Sequence, residues 1–194
     1  MEALAKHLPK TLRHLAVNNN ELRVEGATAL AAHVPPGLRH LAVGGNMLGP
    51  KGAAVLLTSL PRDTLAHLDL GSNQIGKEGA AALAEAPLPR LTHLNLSFCN
   101  LREEGARALA PLLPAGVTFL SLRSNRLGDA GAAALAEGFP PSLTELDLGD
   151  NALGIDSAEM LEQRLPVGVE RLDLGYNKLS GCPGLRVRIP VVIV

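Results

Sequence analysis

The chain has 194 residues, a formal net charge of −1, 46% hydrophobic residues and only 2% aromatic residues. A nearly neutral chain has no overall charge with which to hold nucleic acid or an acidic membrane surface, so we expect neither as a partner. The two cysteines, Cys99 and Cys182, are too few for a disulfide framework and favour a reducing compartment. Because the N-terminus lacks the apolar stretch of a signal peptide and no apolar run could span a bilayer, we expect a cytoplasmic location.

The first predicted element is a short helix within residues 1–11. It resembles the helical half of the repeats that follow, with Leu4 at the place of an inward-pointing leucine. These residues are therefore either a partial repeat or an N-terminal helical cap.

Residues 12–182 are predicted to form seven repeats of about 26 residues. Each begins with an apolar residue, and six intervals of 26 or 27 residues separate the starts: Leu12, Leu38, Leu65, Leu91, Val117, Leu143 and Val169. A fixed period of this length indicates a solenoid, in which each unit buries its apolar side against its neighbours.

Within each unit, alternating apolar residues predict a short strand with one buried face. A turn follows, and it carries a polar residue among apolar ones. We call this set the asparagine column: Asn20, Asn46, Asn73, Cys99, Asn125, Asn151 and Asn177. A buried amide both donates and accepts hydrogen bonds, so a stack of them can satisfy the backbone groups of neighbouring turns. Cys99 is interpreted as a structural substitute and not as a reactive thiol.

An alanine-rich stretch after each turn predicts a helix that follows a glycine in five units, namely Gly26, Gly52, Gly79, Gly105 and Gly131. Proline or glycine then ends it. The strands repeat at about 4.8 Å and the helices need about 8–10 Å, so the array must curve. The predicted fold is an α/β, right-handed solenoid shaped as a curved horseshoe, with parallel strands on the concave face and helices on the convex face.

The third unit, LAHLDLGSNQIGKEGAAALA from Leu65 to Ala84, resembles the leucine-rich repeat of the ribonuclease-inhibitor class. That class also includes the Ran GTPase-activating protein and the sensor arrays of NOD-like receptors. The resemblance covers roughly residues 12–180 and implies a protein-binding fold. Ribonuclease inhibition is not implied, because the chain lacks that inhibitor's many cysteines and its two alternating repeat lengths.

Residues 183–194 form a tail that no longer follows the repeat. Its apolar end is strand-like. Either it covers the open C-terminal edge of the sheet, or it pairs with another chain and makes the terminal repeats a site of self-association.

The first exposed residue of each predicted strand forms what we call the histidine column: His14, His40, His67 and His93, followed by Phe119, Glu145 and Arg171. Parallel strands aim these rings side by side and not at one ion, so we expect no metal. If the rings stack, protonation of one should hinder protonation of its neighbours and make the column sensitive to pH near 6.

Aromatic residues are rare, yet three of the four fall at variable, solvent-facing positions, beside an arginine. Exposed aromatic and arginine side chains are typical anchors of protein interfaces. The predicted partner-binding residues are Phe98, Phe119, Arg123, Asp147, Asp173 and Tyr176, flanked by His67 and His93.

We expect a non-catalytic module that binds a protein partner and needs no cofactor. The carboxylates of the last repeats lie on an open sheet, where nothing desolvates them for acid–base catalysis. The sequence also has none of the phosphate-binding, hydrolase or zinc-protease motifs. Two alternatives stay open: a GTPase-activating protein, for which Arg102 is the candidate arginine, and a scaffold that associates through its ends.

Overall fold

Every repeat contributes one three-residue strand to a parallel sheet. The structure is a computed structural model that describes residues 2–179 and 191–193. Its strands are β1 His14–Ala16, β2 His40–Ala42, β3 His67–Asp69, β4 His93–Asn95, β5 Phe119–Ser121, β6 Glu145–Asp147, β7 Arg171–Asp173 and β8 Val191–Ile193. Neighbouring strands in the chain are neighbours in the sheet, and the sheet is open at both ends.

The strands pair in phase, so equivalent residues of successive repeats lie side by side. His40 pairs with His67 and Leu41 with Leu68, although 27 residues separate these two repeats instead of 26. The additional residue falls after Leu56, in the second half of its repeat, and leaves the register of strand and turn unchanged. Register is thus fixed by the strand and the turn, and the connection back from the helix absorbs the difference.

A helix follows each strand of the first six repeats and lies on the other side of the leucine core. The helices are α1 Glu2–Ala5, α2 Arg23–Ala31, α3 Gly49–Thr58, α4 Gly76–Ala84, α5 Arg102–Leu109, α6 Gly128–Ala136 and α7 Ile155–Arg164, and a 3-10 turn at Ala110–Leu112 extends α5. The inward leucines of the repeats are buried, as predicted: Leu30, Leu56, Leu83, Leu109, Leu135 and Leu161.

The helices begin earlier than the sequence pattern predicts. Helix α5 begins at Arg102, so Gly105 lies inside it and does not precede it. A Cβ on Gly105 would come 2.9 Å from the Cβ of Leu101, and one on Gly131 would come 3.3 Å from the Cα of Glu103 on the neighbouring helix. Gly131 therefore allows close packing between helices, Gly105 leaves room for Leu101 at the start of its own helix, and the place of these glycines in the pattern does not mark a helix start.

The N-terminal helix differs from its prediction. Helix α1 has only four residues, and Leu4, which was expected to point inward, is 51% exposed. Ala5 is buried in its place. A helix of one turn is too short to place a leucine over the core as the longer repeat helices do.

The asparagine column joins each turn to the turn before it. The amide nitrogen of Asn125 donates to the carbonyl oxygens of Leu122, in its own repeat, and Leu96, in the preceding repeat, each at 2.8 Å. Its Oδ1 accepts the backbone N–H of Cys99 at 3.1 Å and of Leu101 at 3.2 Å. The inner members are buried, whereas Asn20 is exposed and its amide donates to the carbonyl oxygens of Val17 and Asn18 in its own turn.

Cys99 takes the place of an amide in this column. The thiol donates to the carbonyl oxygen of Leu70 at 3.3 Å, and the backbone N–H groups of Asn73 and Ile75 face the sulfur. Burial raises the pKa of the Cys99 thiol to about 12. The side chain is therefore held as a neutral thiol, which is a weaker donor and acceptor than an amide.

The turns use left-handed backbone conformations at alternate residues. In the fourth repeat Phe98, Asn100 and Arg102 have φ of 54°, 55° and 56°. At the place of Arg102 four other repeats have glycine; Gly49, Gly76 and Gly128 share the left-handed conformation, whereas Gly154 has φ of −106°. Glycine adopts this conformation without strain, whereas other residues do so at a cost of about 1 kcal/mol.

At the C-terminal end, β8 pairs in parallel with β7, placing Val192 beside Leu172. Residues 180–190, which include Cys182, Pro183 and most of the predicted tail, lie outside the described residues. Whether the tail covers the edge or serves self-association therefore stays a prediction.

Replacing Cys99 with asparagine should restore the missing amide. The new side chain would donate to two carbonyl groups and accept from Asn73 and Ile75, so we expect the free energy of unfolding to rise by about 1–2 kcal/mol. Urea and thermal unfolding of Cys99→Asn would measure the change. Cys99→Ala, which removes the sulfur and adds no donor, should be less stable than the natural chain, and an asparagine variant no more stable than that alanine variant would contradict the role of the column.

Candidate functional site

The exposed side of the sheet is the main candidate surface, and we call it the strand face. In each of the strands β1 to β7 the middle residue is a leucine that points into the core, as in Leu41, Leu94 and Leu120. The first and third residues point the opposite way, because successive side chains alternate across a strand. The first residues are the histidine column, and the third residues are Ala16, Ala42, Asp69, Asn95, Ser121, Asp147 and Asp173.

The rings of the histidine column stack along the sheet. Successive ring centroids are 5.7 Å apart from His14 to His40, 5.2 Å from His40 to His67 and 4.1 Å from His67 to His93. Phe119 continues the stack at 5.8 Å from His93. In-phase pairing of parallel strands brings identical side chains to this spacing.

Stacking disfavours the charged form of the central histidine. The pKa of His67 is lowered from its ordinary value of 6.5, first by partial burial and then by the neighbouring imidazoles of His93, His40 and His14. The nearly parallel rings place their nitrogens side by side and not around a common point. In residues 2–179 and 191–193 no three His, Cys, Asp or Glu side chains come together as a metal-binding group.

The acidic residues of the strand face also serve the backbone. The carboxylates of Asp147 and Asp173 each accept the N–H of the residue two places on, Gly149 and Gly175, at 2.9 Å. Asp69 accepts the N–H of Gly71 in the same way. Asp147 and Asp173 were predicted as partner-binding residues, and an Asp two residues before a Gly at the end of a strand is the sequence signal for this backbone role.

Arg123 is the centre of a cluster that spans three repeats. Its Nη1 lies 3.8 Å from a carboxylate oxygen of Asp147 and 3.8 Å from one of Asp173. Its guanidinium carbon lies 5.3 Å from the ring centroid of Tyr176. Four of the predicted partner-binding residues are thus in one cluster, although they are as far as 53 residues apart in the chain.

Gly149 makes room for this arrangement. It occupies, one repeat further on, the place that Arg123 has in its own repeat, and a Cβ there would overlap Nη1 of Arg123. The next equivalent residue is Gly175. Because neither repeat has a side chain at this place, the arginine extends across both of them to Tyr176.

A shallow depression adjoins the cluster. It has a volume of about 200 Å³, and its lining includes Phe119, Glu145, Asp147, Arg171 and Asp173. Drug-sized ligands occupy pockets of about 300–1,000 Å³, so this depression has room for one side chain of a larger partner. Phe119 stacks on His93 and also lines this depression, so it lies between the histidine column and the Arg123 cluster.

The side chain of Phe98 does not line this depression, although its backbone N–H donates to the carbonyl oxygen of Arg123 at 2.8 Å. Phe98 is 51% exposed and lines a groove along the turns at the edge of the sheet, with Arg102 and Arg126. Sequence adjacency suggested that Phe98 and Phe119 would form one surface. The turn conformation separates them, because Phe119 begins a strand whereas Phe98 is in a turn with φ of 54°.

None of the helices in the described part of the chain has the length and apolar character needed to cross a membrane.

Replacing Gly149 with alanine should move Arg123 away from Tyr176. The guanidinium is the flexible end of its side chain, so it can shift while the backbone stays in place. The side-chain protons of Arg123 should then lose the ring-current shift that Tyr176 causes, which NMR measures directly. Gly44→Ala, at the same place in the second repeat, leaves the cluster untouched and serves as the control. An unchanged Arg123 spectrum in Gly149→Ala would contradict this geometry.

Acidification should destabilise the fold through His67. Because its pKa in the folded chain is below 6.5, the unfolded chain binds the proton more readily. Stability from this source is complete above pH 6.5 and is lost as the pH falls toward the lower folded value. His67→Phe keeps a ring in the stack and removes the titration, so its thermal midpoint should fall less below pH 6.5. Equal losses in the two proteins would contradict the coupling, and an NMR titration would give the pKa of His67 itself.

The sequence matches the model of one family, described as Leucine Rich repeat, over residues 9–31, 64–84, 89–110, 117–136 and 139–161. No curated protein matches the chain significantly in sequence.

Solved structures of leucine-rich repeat proteins share the fold. The leucine-rich repeat-containing protein LegL7 from Legionella pneumophila is 21% identical, with a TM-score of 0.62, over 90% of this chain and 60% of that one. A chain of the Rad7–Elc1 complex from yeast is 16% identical, with a TM-score of 0.66, over 94% of this chain and 54% of that one. The internalin InlF from Listeria monocytogenes is 18% identical, with a TM-score of 0.61, over 99% of this chain and 50% of that one.

The chain thus spans between half and three fifths of the length of these structures. The family match covers more than half of the chain, and the strand–turn–helix units with their asparagine column account for it. The chain belongs to the leucine-rich repeat family.

Proposed function

We propose that this chain is a non-catalytic module that binds a protein partner on its strand face. The observation that carries the proposal is the cluster in which Arg123 lies between two carboxylates and the ring of Tyr176. Arginine and tyrosine are among the residues that contribute most to protein interfaces. The class of repeat that the sequence resembles, with one helix in each unit, is consistent with such a role.

The guanidinium of Arg123 can still donate hydrogen bonds to a partner. The distance of 3.8 Å from Arg123 to each carboxylate is longer than the 2.7–2.9 Å of a charge-assisted hydrogen bond. Within the described residues, the guanidinium donates no hydrogen bond. Its N–H groups are therefore available to a partner's carbonyl or carboxylate oxygen, while the two aspartates keep the guanidinium in place.

Tyr176 adds an apolar surface that the chain itself does not bury. The residue is 83% exposed, although its ring lies against Arg123. An aromatic ring with few rotatable bonds loses little entropy when a partner covers it. Phe119, at the other side of the depression, is partly exposed and is held by stacking on His93.

The rigidity of the strand face favours binding. Its side chains come from strands whose register the asparagine column fixes, so little of the backbone needs to be ordered on association. His67 and His93 extend the surface beyond Phe119 as stacked rings. A partner that covers the strand face from His67 to Tyr176 would contact five successive strands or their turns.

The test is capture by matched variants followed by measurement of affinity. The immobilised chain is incubated with extract from its native source, and captured proteins are identified by mass spectrometry. We expect Phe119→Ala combined with Arg123→Gln to remove a specific partner, and calorimetry with that purified partner to show affinity weaker by tenfold or more, about 1.4 kcal/mol.

The control variant changes one apolar residue and one arginine on the helix side of the molecule. Val55 is 37% exposed on α3, and the side chain of Arg107 is 60% exposed on α5. Val55→Ala combined with Arg107→Gln should leave capture unchanged. Loss of the partner in this control, with retention in the strand-face variant, would place binding on the helices and contradict the proposal.

A further inference from the structure

A second groove runs along the turns that follow β3, β4 and β5, outside the strand face. Its volume is about 500 Å³, and its lining includes Gln74, Phe98, Asn100, Arg102, Ser124 and Arg126. The only charged residues in this lining are the two arginines. The groove is therefore cationic, although the chain as a whole has a net charge of −1.

The two guanidinium groups have no carboxylate partner in the described part of the chain. Nε of Arg102 donates to the neutral Oδ1 of Asn100 at 3.3 Å. Arg126 makes no hydrogen bond or ion pair through its side chain within residues 2–179 and 191–193. Both groups keep most of their donors free toward the groove.

The first repeat provides an internal comparison for Arg102. Arg23 has the same place in its turn and pairs with Glu21 at 3.3 Å. The residue equivalent to Glu21 in the fourth repeat is Asn100. The fourth repeat thus keeps the arginine and lacks the carboxylate that would neutralise it.

Left-handed turns display large side chains along the groove. Phe98, Arg102 and Arg126 have φ of 54°, 56° and 57°, and at two of these places other repeats have glycine, such as Gly45 and Gly128. Phe98 is about half exposed to solvent. The same conformations recur in the turns of other repeats, so the side chains that the turns carry, and not the backbone, distinguish this groove.

We propose that this groove binds a short acidic segment of a partner protein. Carboxylates of the segment pair with Arg102 and Arg126, amides of Gln74 and Asn100 bond its backbone, and an apolar side chain covers Phe98. Three successive turns about 4.8 Å apart extend over roughly 10 Å, which about three extended residues would span.

The surroundings favour an acidic peptide over nucleic acid. Glu103 and Glu104 follow Arg102 in the chain, and Asp150 accepts a hydrogen bond from Ser124 at 2.7 Å. These carboxylates limit the positive surface to the length of a few residues. Single-stranded nucleic acid needs a longer cationic path and several aromatic platforms, whereas the groove has one aromatic ring.

The experiment uses the full chain and a defined probe. The peptide acetyl-Glu-Asp-Leu-Asp-Glu-amide is titrated into isotopically labelled protein, and NMR follows the side-chain Nε–H signals of Arg102 and Arg126 and the amide signals of Gln74 and Asn100. We expect saturable shifts of these signals, weakened by added salt. The uncharged peptide acetyl-Gln-Asn-Leu-Asn-Gln-amide should bind at least about tenfold more weakly.

Matched variants distinguish binding in this groove from a nonspecific electrostatic attraction between the peptide and the protein. Arg102→Gln should weaken binding of the acidic peptide by about tenfold, whereas Arg23→Gln, at the same place in the first repeat, should leave it unchanged. Both residues are exposed, and thermal unfolding verifies that each variant folds. Absence of saturable shifts, equal effects of the two variants or equal binding of the uncharged peptide would overturn the proposal. Tighter binding of a short oligouridylate to the same arginines would indicate that the ligand of the groove is single-stranded nucleic acid and not an acidic peptide.

Discussion

The hydrogen bonds of the asparagine column are the interaction on which the rest of the structure depends. A strand of three residues makes few ladder bonds, and the turn after it leaves several backbone groups without a partner. In the second, third, fifth and sixth repeats one buried amide satisfies groups in two successive turns. Leaving such groups unpaired would cost about 1–3 kcal/mol each. The column therefore fixes both the shape of every turn and its position over the preceding one.

Fixed register has consequences for the surface. Equivalent side chains are held at the spacing of neighbouring strands, so a residue type that recurs in the sequence becomes a stack in space, as the histidine column does. A glycine at one place of a repeat leaves a gap on the surface, because it has no side chain. The glycines after Arg123 are such a gap, and they let one long side chain reach across two repeats.

The exposed columns of the strand face combine structural and binding roles. Asp147 accepts a backbone N–H and also lies beside Arg123, so the same carboxylate ends a strand and orients a guanidinium. Cys99 shows the reverse case. It keeps the place of an amide with fewer hydrogen bonds, and the repeat retains its register because neighbouring amides hold the turns on either side.

The sequence by itself determined the repeat, the strands, the buried leucines and the family, because all of these follow from local periodicity. It also identified Arg123, Asp147, Asp173 and Tyr176 as candidates. Only the tertiary structure decided which of them meet. Stacking brings residues of separate repeats together, and the empty places at Gly149 and Gly175 decide where the arginine points. The turn conformation likewise separated Phe98 from Phe119 and put it beside Arg102 and Arg126, because left-handed backbone in a turn depends on the repeats that pack against it.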